Sequence, residues 1–285
     1  VFFPARLHDG IHAGEGDLEI LDIPSRLPLT GYITVMNEKL EALVRLSHEL
    51  GNPARPLAIL GEGNTSTRLT VDTFLVKASG TSLGTLRETD VVECKSSALL
   101  PLLDRKRIGD AEIEAALMAS RVDTNAKKPS VEALFHSYLL SLPGVEFVGH
   151  THAPNVNGIL CSPRAREFAE KRIFPDEIVC CDVASVFVPY TDPGLALALA
   201  IRDRVESFQQ RYVRVPRVVL IENHGIITLG GTVEAVLAAM WMAEKAATIW
   251  LGAALLGGPK FMTPEQVARI AGRPDEEVRR RILNI

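Results

Sequence analysis

Apolar residues follow two rhythms along this chain, and the changes of rhythm mark its elements. Val35, Leu40, Leu43, Val44, Leu46 and Leu50 recur at helical spacing, and Gly51-Asn52-Pro53 stops the run, so the pattern predicts an amphipathic helix over 35–50. Three short β-prone runs follow, Ala58-Ile59-Leu60, Leu69-Thr70-Val71 and Phe74-Leu75-Val76. Turn residues separate them, and they read as strands joined by hairpins, with 89–94 as a further strand. Residues 112–119 are helical in composition. Pro129-Ser130 then opens a helix whose Val131, Leu134, Phe135, Tyr138 and Leu139 make one apolar stripe, ended by Pro143-Gly144. Residues 145–152 read as a strand that Pro154 keeps from continuing.

Farther on, Ile178-Val179-Cys180-Cys181 and Val186-Phe187-Val188 read as two more strands. Asp192-Pro193-Gly194 leads into a helix over 195–208. Residues 217–221 form a buried strand that ends in Asn223-His224-Gly225, and 226–229 continue extended to Gly230-Gly231. Thr232 caps a long helix starting near Val233, and Thr263-Pro264-Glu265-Gln266 has the capping pattern of a short polar helix. Pro4, Gly10, Gly14, Gly16, Pro24 and Pro28 punctuate the start of the chain without any period. The expected division is an irregular N-terminal arm over 1–30, a body over 31–260 and a C-terminal helical tail over 261–285. The arm lies over the body or a neighbouring subunit, or is a disordered leader. Hairpins mixed with helices predict an α/β layered domain and not an alternating βαβ chain.

Composition narrows the function classes. The 285 residues carry a formal charge of -4 and 6% aromatics, so neither a basic field nor a stacking platform for nucleic acid is present. The most apolar stretch, 233–256, is interrupted by Glu234, Glu244 and Lys245, which suits a buried helix better than a membrane span. Cys94, Cys161, Cys180 and Cys181 contain no C-x-x-C pair, so no cysteine-ligated zinc or disulfide scaffold is indicated. Reduced thiols and a start without a signal-peptide pattern lead to the expectation of a cytoplasmic protein.

Candidate chemistry is sharpest at Gly149-His150-Thr151-His152. Residues two apart on a strand share a face, so two imidazoles can converge on one ion, whereas a single histidine there would more simply be satisfied by a backbone carbonyl. His224, at the end of a buried strand, is either a turn contact or the third ligand of an open site. Glu132 sits off the apolar stripe near a helix start. There it gains from the helix dipole, or it serves a nearby metal as ligand or general base. His136 shares its face and is expected to be structural or to support a ligand. Gly61-Glu62-Gly63-Asn64-Thr65-Ser66, Ala78-Ser79-Gly80-Thr81-Ser82 and Ser130 offer hydroxyls and free N–H groups, the makings of an anion cradle, although each alone is a turn.

Taken in order, Gly63-Asn64-Thr65-Ser66, Lys77-Ala78-Ser79-Gly80-Thr81, Pro129-Ser130-Val131-Glu132, His150-Thr151-His152, Val188-Pro189-Tyr190 with Gly194, and Asn223-His224-Gly225 resemble the class II aldolase/adducin family over about 35–255. The Pro-Ser-Val-Glu form and Val-Pro-Tyr-Thr-Asp-Pro-Gly look closest to the aldolase part of bifunctional rhamnulose-1-phosphate aldolase/dehydrogenase proteins, with the dehydrogenase half expected to be absent. The resemblance implies a three-layer α/β/α domain around a mixed, largely antiparallel sheet, in a homotetramer with sites at subunit interfaces. It implies His150, His152 and His224 as ligands of one Zn²⁺ per subunit, and Glu132 as the acid/base. It implies Gly63, Asn64, Ser79, Gly80 and Ser130 as the sugar-phosphate pocket, and Tyr190 as a proton donor to the aldehyde from across an interface. Val131 departs from the pattern: it replaces a serine that contacts phosphate in fuculose-phosphate aldolase, which leaves room for an unphosphorylated substrate. The implied activity is retro-aldol cleavage of a ketose 1-phosphate to dihydroxyacetone phosphate and an aldehyde. A sugar-phosphate 4-epimerase, a sugar-acid phosphate decarboxylase and a non-catalytic adducin-like protein are the alternatives.

Overall fold

The computed structural model of the chain describes residues 29–105 and 108–285, so the expected arm lies outside the described residues except for its last two positions, which are already helical. Helix α1 (Leu29–Leu50) leads to β1 (Asn64–Arg68), β2 (Thr73–Lys77) and β3 (Val91–Lys95), followed by α2 (Ser96–Leu99), α3 (Asp110–Ser120) and α4 (Ala133–Leu140). Then come β4 (Phe147–Thr151), α5 (Pro154–Leu160), α6 (Ala165–Glu170), α7 (Pro175–Cys181), β5 (Val186–Val188) and α8 (Leu195–Tyr212). Strands β6 (Val218–Ile221) and β7 (Gly225–Gly230) precede α9 (Val233–Leu255), α10 (Pro264–Ala271) and α11 (Pro274–Leu283).

The strands form one seven-stranded sheet in the order β3-β2-β1-β4-β7-β6-β5. Every pairing is antiparallel except β5 with β6, which is parallel. Period-two alternation sends Val148, Val219, Ile221, Ile227 and Leu229 into a core under α4 and α8. Phe147, Val218, Leu220 and Ile226 face the opposite core, closed by α5, α6, α7 and α9. Two helical layers thus sandwich a mixed, largely antiparallel sheet, as expected. Among the described residues no helix is long and apolar enough to cross a membrane, and α9 lies against the sheet with Val236, Ala239, Met240 and Ala243 buried.

Three expected strands are not strands. Ala58-Ile59-Leu60 is a turn: Glu62 N–H donates to Ile59 O at 3.0 Å, and Leu60 takes φ 53 with its side chain exposed. Leu69-Thr70-Val71 is the β1–β2 turn, in which Thr70 Oγ1 accepts the N–H groups of Asp72 and Thr73. The strand lies just upstream, in the polar run Asn64-Thr65-Ser66-Thr67-Arg68. Its hydroxyls are bonded internally, Thr65 to Ser47 at 2.6 Å and Thr67 to Glu146 O at 2.9 Å. Ile178-Val179-Cys180-Cys181 closes helix α7, which starts at Pro175 with Asp176 and Glu177 in its first turn. A four-residue apolar run is equally a buried helix, and here the helix is tied down from outside. The buried Arg172 guanidinium donates to Asp182 O at 2.7 Å and to Cys181 O at 3.3 Å. The helix after Pro129-Ser130 is also shorter than expected and buried all round, with Val131 left exposed ahead of it.

Asp90 fixes the segment that carries Glu132. Its carboxylate accepts Lys127 Nζ at 2.5 Å and Arg87 N–H at 3.0 Å, tying the start of β3 to the strand-like Ala78–Pro129 bridge. Lys127, with Arg87, holds the carboxyl at about 2, below its ordinary 3.8. A lowered folded-state value means that Asp90 stabilises the fold fully above the unfolded value, and that this is lost as pH falls through the folded one. D90N is therefore expected to lower stability by about 2 kcal/mol at neutral pH, the worth of a charged hydrogen bond. The gap between D90N and the unsubstituted chain should close between pH 4 and pH 2, as read from urea midpoints.

Candidate metal centre

Strand β4 lies in the middle of the sheet, between β1 and β7. Its alternation puts Val148, His150 and His152 on the face that α4 covers, and His150 stands opposite Asn64 on β1 and Ile227 on β7. The β6–β7 turn brings in the third ring, with Asn223 at φ 53 ahead of His224. Asn157 Nδ2 donates to His224 O at 2.9 Å and holds that turn. Gly225 is required where it stands: a Cβ there would meet Thr151 O at 2.5 Å and His152 Cδ2 at 2.9 Å.

The three imidazoles form an equilateral triangle, each pair of ring centroids 5.1 Å apart. One nitrogen from each lies within 4.8 Å of the others, and this is the one such His/Cys/Asp/Glu group among the described residues. His150 Nδ1 donates to Ile226 O at 3.0 Å, which leaves Nε2 buried without a hydrogen-bond partner. Burial and the neighbouring His152 pull the His150 pKa down to about 3, and burial with His150 lowers that of His224. Both rings are thus neutral near pH 7, the form that binds a metal. An orphaned buried ring nitrogen facing two further imidazoles fits a nitrogen-bound divalent cation such as Zn²⁺.

Glu132, at the N-terminus of α4, points its carboxylate at this triangle. Oε1 lies 3.6 Å from His150 Nε2 and 3.7 Å from His224 Nε2, and Asn64 Nδ2 donates to the other oxygen. Ser130 Oγ accepts Glu132 N–H at 3.3 Å. Burial raises the Glu132 carboxyl above the usual range, opposed by the neighbouring His224 ring and the Asn64 bond. His136 is buried and shares a 2.7 Å hydrogen bond with Ser66, apart from the triangle.

The remaining site candidates fall into two groups. Gly63 is pressed against β4: at φ 71, a Cβ would lie 2.5 Å from His150 O. Ser79 N–H donates to Lys128 O at 2.9 Å and Ala78 bridges Pro129, so the Ser79-Gly80 turn lies beside Ser130. Tyr190 is not brought to the histidines within this chain. It is 54% exposed, and its hydroxyl donates to Asp192 at 3.0 Å. Val131 and Asp192 line one groove of about 810 Å³ with Gly194.

Two residues near the site were not singled out from sequence. Lys77, buried at the end of β2, donates to Thr81 O at 2.6 Å; burial lowers its pKa, and Glu132 opposes that shift. Glu62 Oε1 lies 3.7 Å from His152 Nδ1. A lysine ending an apolar run and an acid between two glycines were the signals available.

Comparisons with known proteins bear on the family and the fold. Residues 41–251 match the model of the class II aldolase and adducin N-terminal domain. YuxG of Bacillus subtilis (strain 168), named as an uncharacterized oxidoreductase, is 29% identical over 202 residues, covering 68% of this chain and 27% of YuxG. The chain thus spans about a quarter of that curated relative. Among solved structures, the N-terminal class II aldolase domain of a conserved Thermoplasma acidophilum protein has TM-score 0.60 at 23% identity, covering 74% of this chain and 93% of that one. An L-fuculose 1-phosphate aldolase superposes with TM-score 0.61 at 18% identity, covering 82% and 94%. YgbL of Escherichia coli, a candidate aldolase/epimerase/decarboxylase by name, has TM-score 0.61 at 19% identity, covering 84% and 100%. At these identities the structural likeness speaks for the fold.

Proposed function

The chain belongs to the class II aldolase and adducin family, and on that premise we propose that it is a zinc-dependent aldehyde-lyase cleaving a ketose 1-phosphate to dihydroxyacetone phosphate and an aldehyde. The observation that carries this reading is the triangle of His150, His152 and His224 with the Glu132 carboxylate 3.6 Å from one ring nitrogen. A non-catalytic member of the family has no need of three converging imidazoles.

His150, His152 and His224 would hold the cation. When bound, it supplies a Lewis acid against the negative charge that develops on the substrate's carbonyl oxygen as C3–C4 breaks. Glu132 carries the proton. Breaking C3–C4 leaves the electron pair on the C3 side as an enediolate; the C4 hydroxyl proton leaves through the Tyr190 hydroxyl of a neighbouring subunit to solvent as the aldehyde forms, and C3 takes a proton from the Glu132 carboxyl, which solvent then reprotonates. Burial suits Glu132 to this, because it raises the carboxyl above the usual range and so favours the protonated form. Asn64 fixes the carboxylate's orientation through its amide. Gly63, Asn64, Ser79, Gly80 and Ser130 form the phosphate pocket, with Val131 contributing no hydroxyl to it. Tyr190, exposed in one chain, gives its proton to the aldehyde oxygen in the bond-forming direction from a neighbouring subunit, so the reading includes a homo-oligomer, with a tetramer proposed.

Metal analysis of the purified chain, together with a screen of ketose 1-phosphates for aldehyde and dihydroxyacetone phosphate, tests the proposal. The expected result is close to one equivalent of zinc per chain and both products in equal amounts. Interconversion of C4 epimers without free aldehyde would make the protein an epimerase, and carbon dioxide from a sugar-acid phosphate would make it a decarboxylase. A metal-free, inactive chain would leave the adducin-like reading.

A further inference from the structure

The three rings of the triangle are held unequally. The His150 ring is fixed by its bond to Ile226 O, whereas His224 is held through its backbone, whose carbonyl accepts from Asn157 and whose N–H donates to Ile221 O at 3.2 Å. The His152 side chain is 27% exposed, and no hydrogen bond to its ring occurs among the described residues. The charged group facing it is Glu62. That side chain is anchored: Oε2 accepts Ile59 N–H at 3.0 Å while Glu62 N–H donates to Ile59 O at 3.0 Å. Its free oxygen, Oε1, lies 3.7 Å from His152 Nδ1. The approach is built into the backbone, because only a glycine fits at 63, where a Cβ would lie 2.5 Å from His150 O. Glu132 covers the opposite side, at the Nε2 atoms of His150 and His224.

Building on the zinc reading above, we propose that Glu62 is a positioning residue for His152. Its carboxylate takes the Nδ1–H of His152, fixing the tautomer and turning Nε2 toward the cation. A ligating imidazole commonly gives its second N–H to a carboxylate or carbonyl, which fixes the ring and raises its basicity. Ile226 O does this for His150, and Glu62 does it for His152.

The test uses the full chain with E62A, E62Q, E62D and H152A. Zinc affinity is measured by competition with a chromophoric chelator, and histidine tautomers of the metal-free chain by long-range ¹H–¹⁵N imidazole spectra. E62A and E62Q should bind zinc about 10–100-fold more weakly, with E62D recovering part of the loss. His152 should leave the Nδ1–H tautomer in E62A while His150 keeps it. Zinc affinity of E62A within twofold of the unsubstituted chain, or an unchanged His152 tautomer, would overturn the proposal. So would a Co²⁺ spectrum showing a lost ligand in E62A, since Glu62 would then bind the ion directly. If the unsubstituted chain binds no zinc, the zinc reading falls together with this one. If it binds zinc, H152A does not, and E62A is unaltered, only the role of Glu62 falls.

Discussion

His152→Ala is expected to strip the chain of its divalent cation and of carbon–carbon cleavage while leaving it folded. The ring is the most exposed of the three and makes no hydrogen bond among the described residues, so its removal opens no buried network. His150→Ala would reach the same loss of metal, but by deleting a wholly buried ring stacked edge-on to Phe135, and it would also cost stability. Losing a Lewis acid worth several kcal/mol in the transition state corresponds to at least about a 10³-fold fall in turnover. Metal content after dialysis, aldehyde release and thermal unfolding on one sample separate the effects. Loss of metal and activity with the melting temperature of the metal-free unsubstituted chain is the predicted pattern. Full turnover by a metal-free His152→Ala chain would refute the mechanism.

Glu132→Gln is expected to do the reverse, keeping the metal and losing the chemistry. Glutamine has nearly the same shape and can still meet Asn64, so the three imidazoles stay in place. What it cannot do is carry a proton to and from carbon. General acid–base catalysis of this kind is worth about 10²–10⁴-fold, and turnover should fall by that amount with zinc content unchanged. Exchange of the C3 hydrogen of dihydroxyacetone phosphate with solvent deuterium should fall in parallel, because it follows the same proton. If cleavage slows but this exchange persists, the proton belongs to another residue, and Lys77, buried close enough to oppose the shift of Glu132, is the first to examine.

The heart of the site was legible in the sequence because its rules are local. Period-two alternation alone puts His150 and His152 on one face of a strand, and Thr232 and Thr263 cap their helices as their positions in sequence predict, accepting from Ala235 and Gln266. The failures share a cause, which is that tertiary bonds override local pattern. β1 is a buried strand with no apolar residue, made acceptable by hydroxyls that find partners on α1 and in the loop before β4. Helix α7 reads as a strand until the buried Arg172 and the first-turn acids are seen together. Glu62 showed only as an acid between two glycines, because its meaning depends on a contact with a residue 90 positions away along the chain. Tyr190 was assigned by resemblance, and a single chain leaves it facing Asp192.

X-ray absorption at the zinc edge of the reconstituted chain tests the central claim most directly. Three imidazole nitrogens at about 2.1 Å, with any remaining ligand an oxygen, are the predicted coordination, at one zinc per chain. A chain that takes up no zinc, or zinc coordinated without imidazole, would show that His150, His152 and His224 converge for some other purpose.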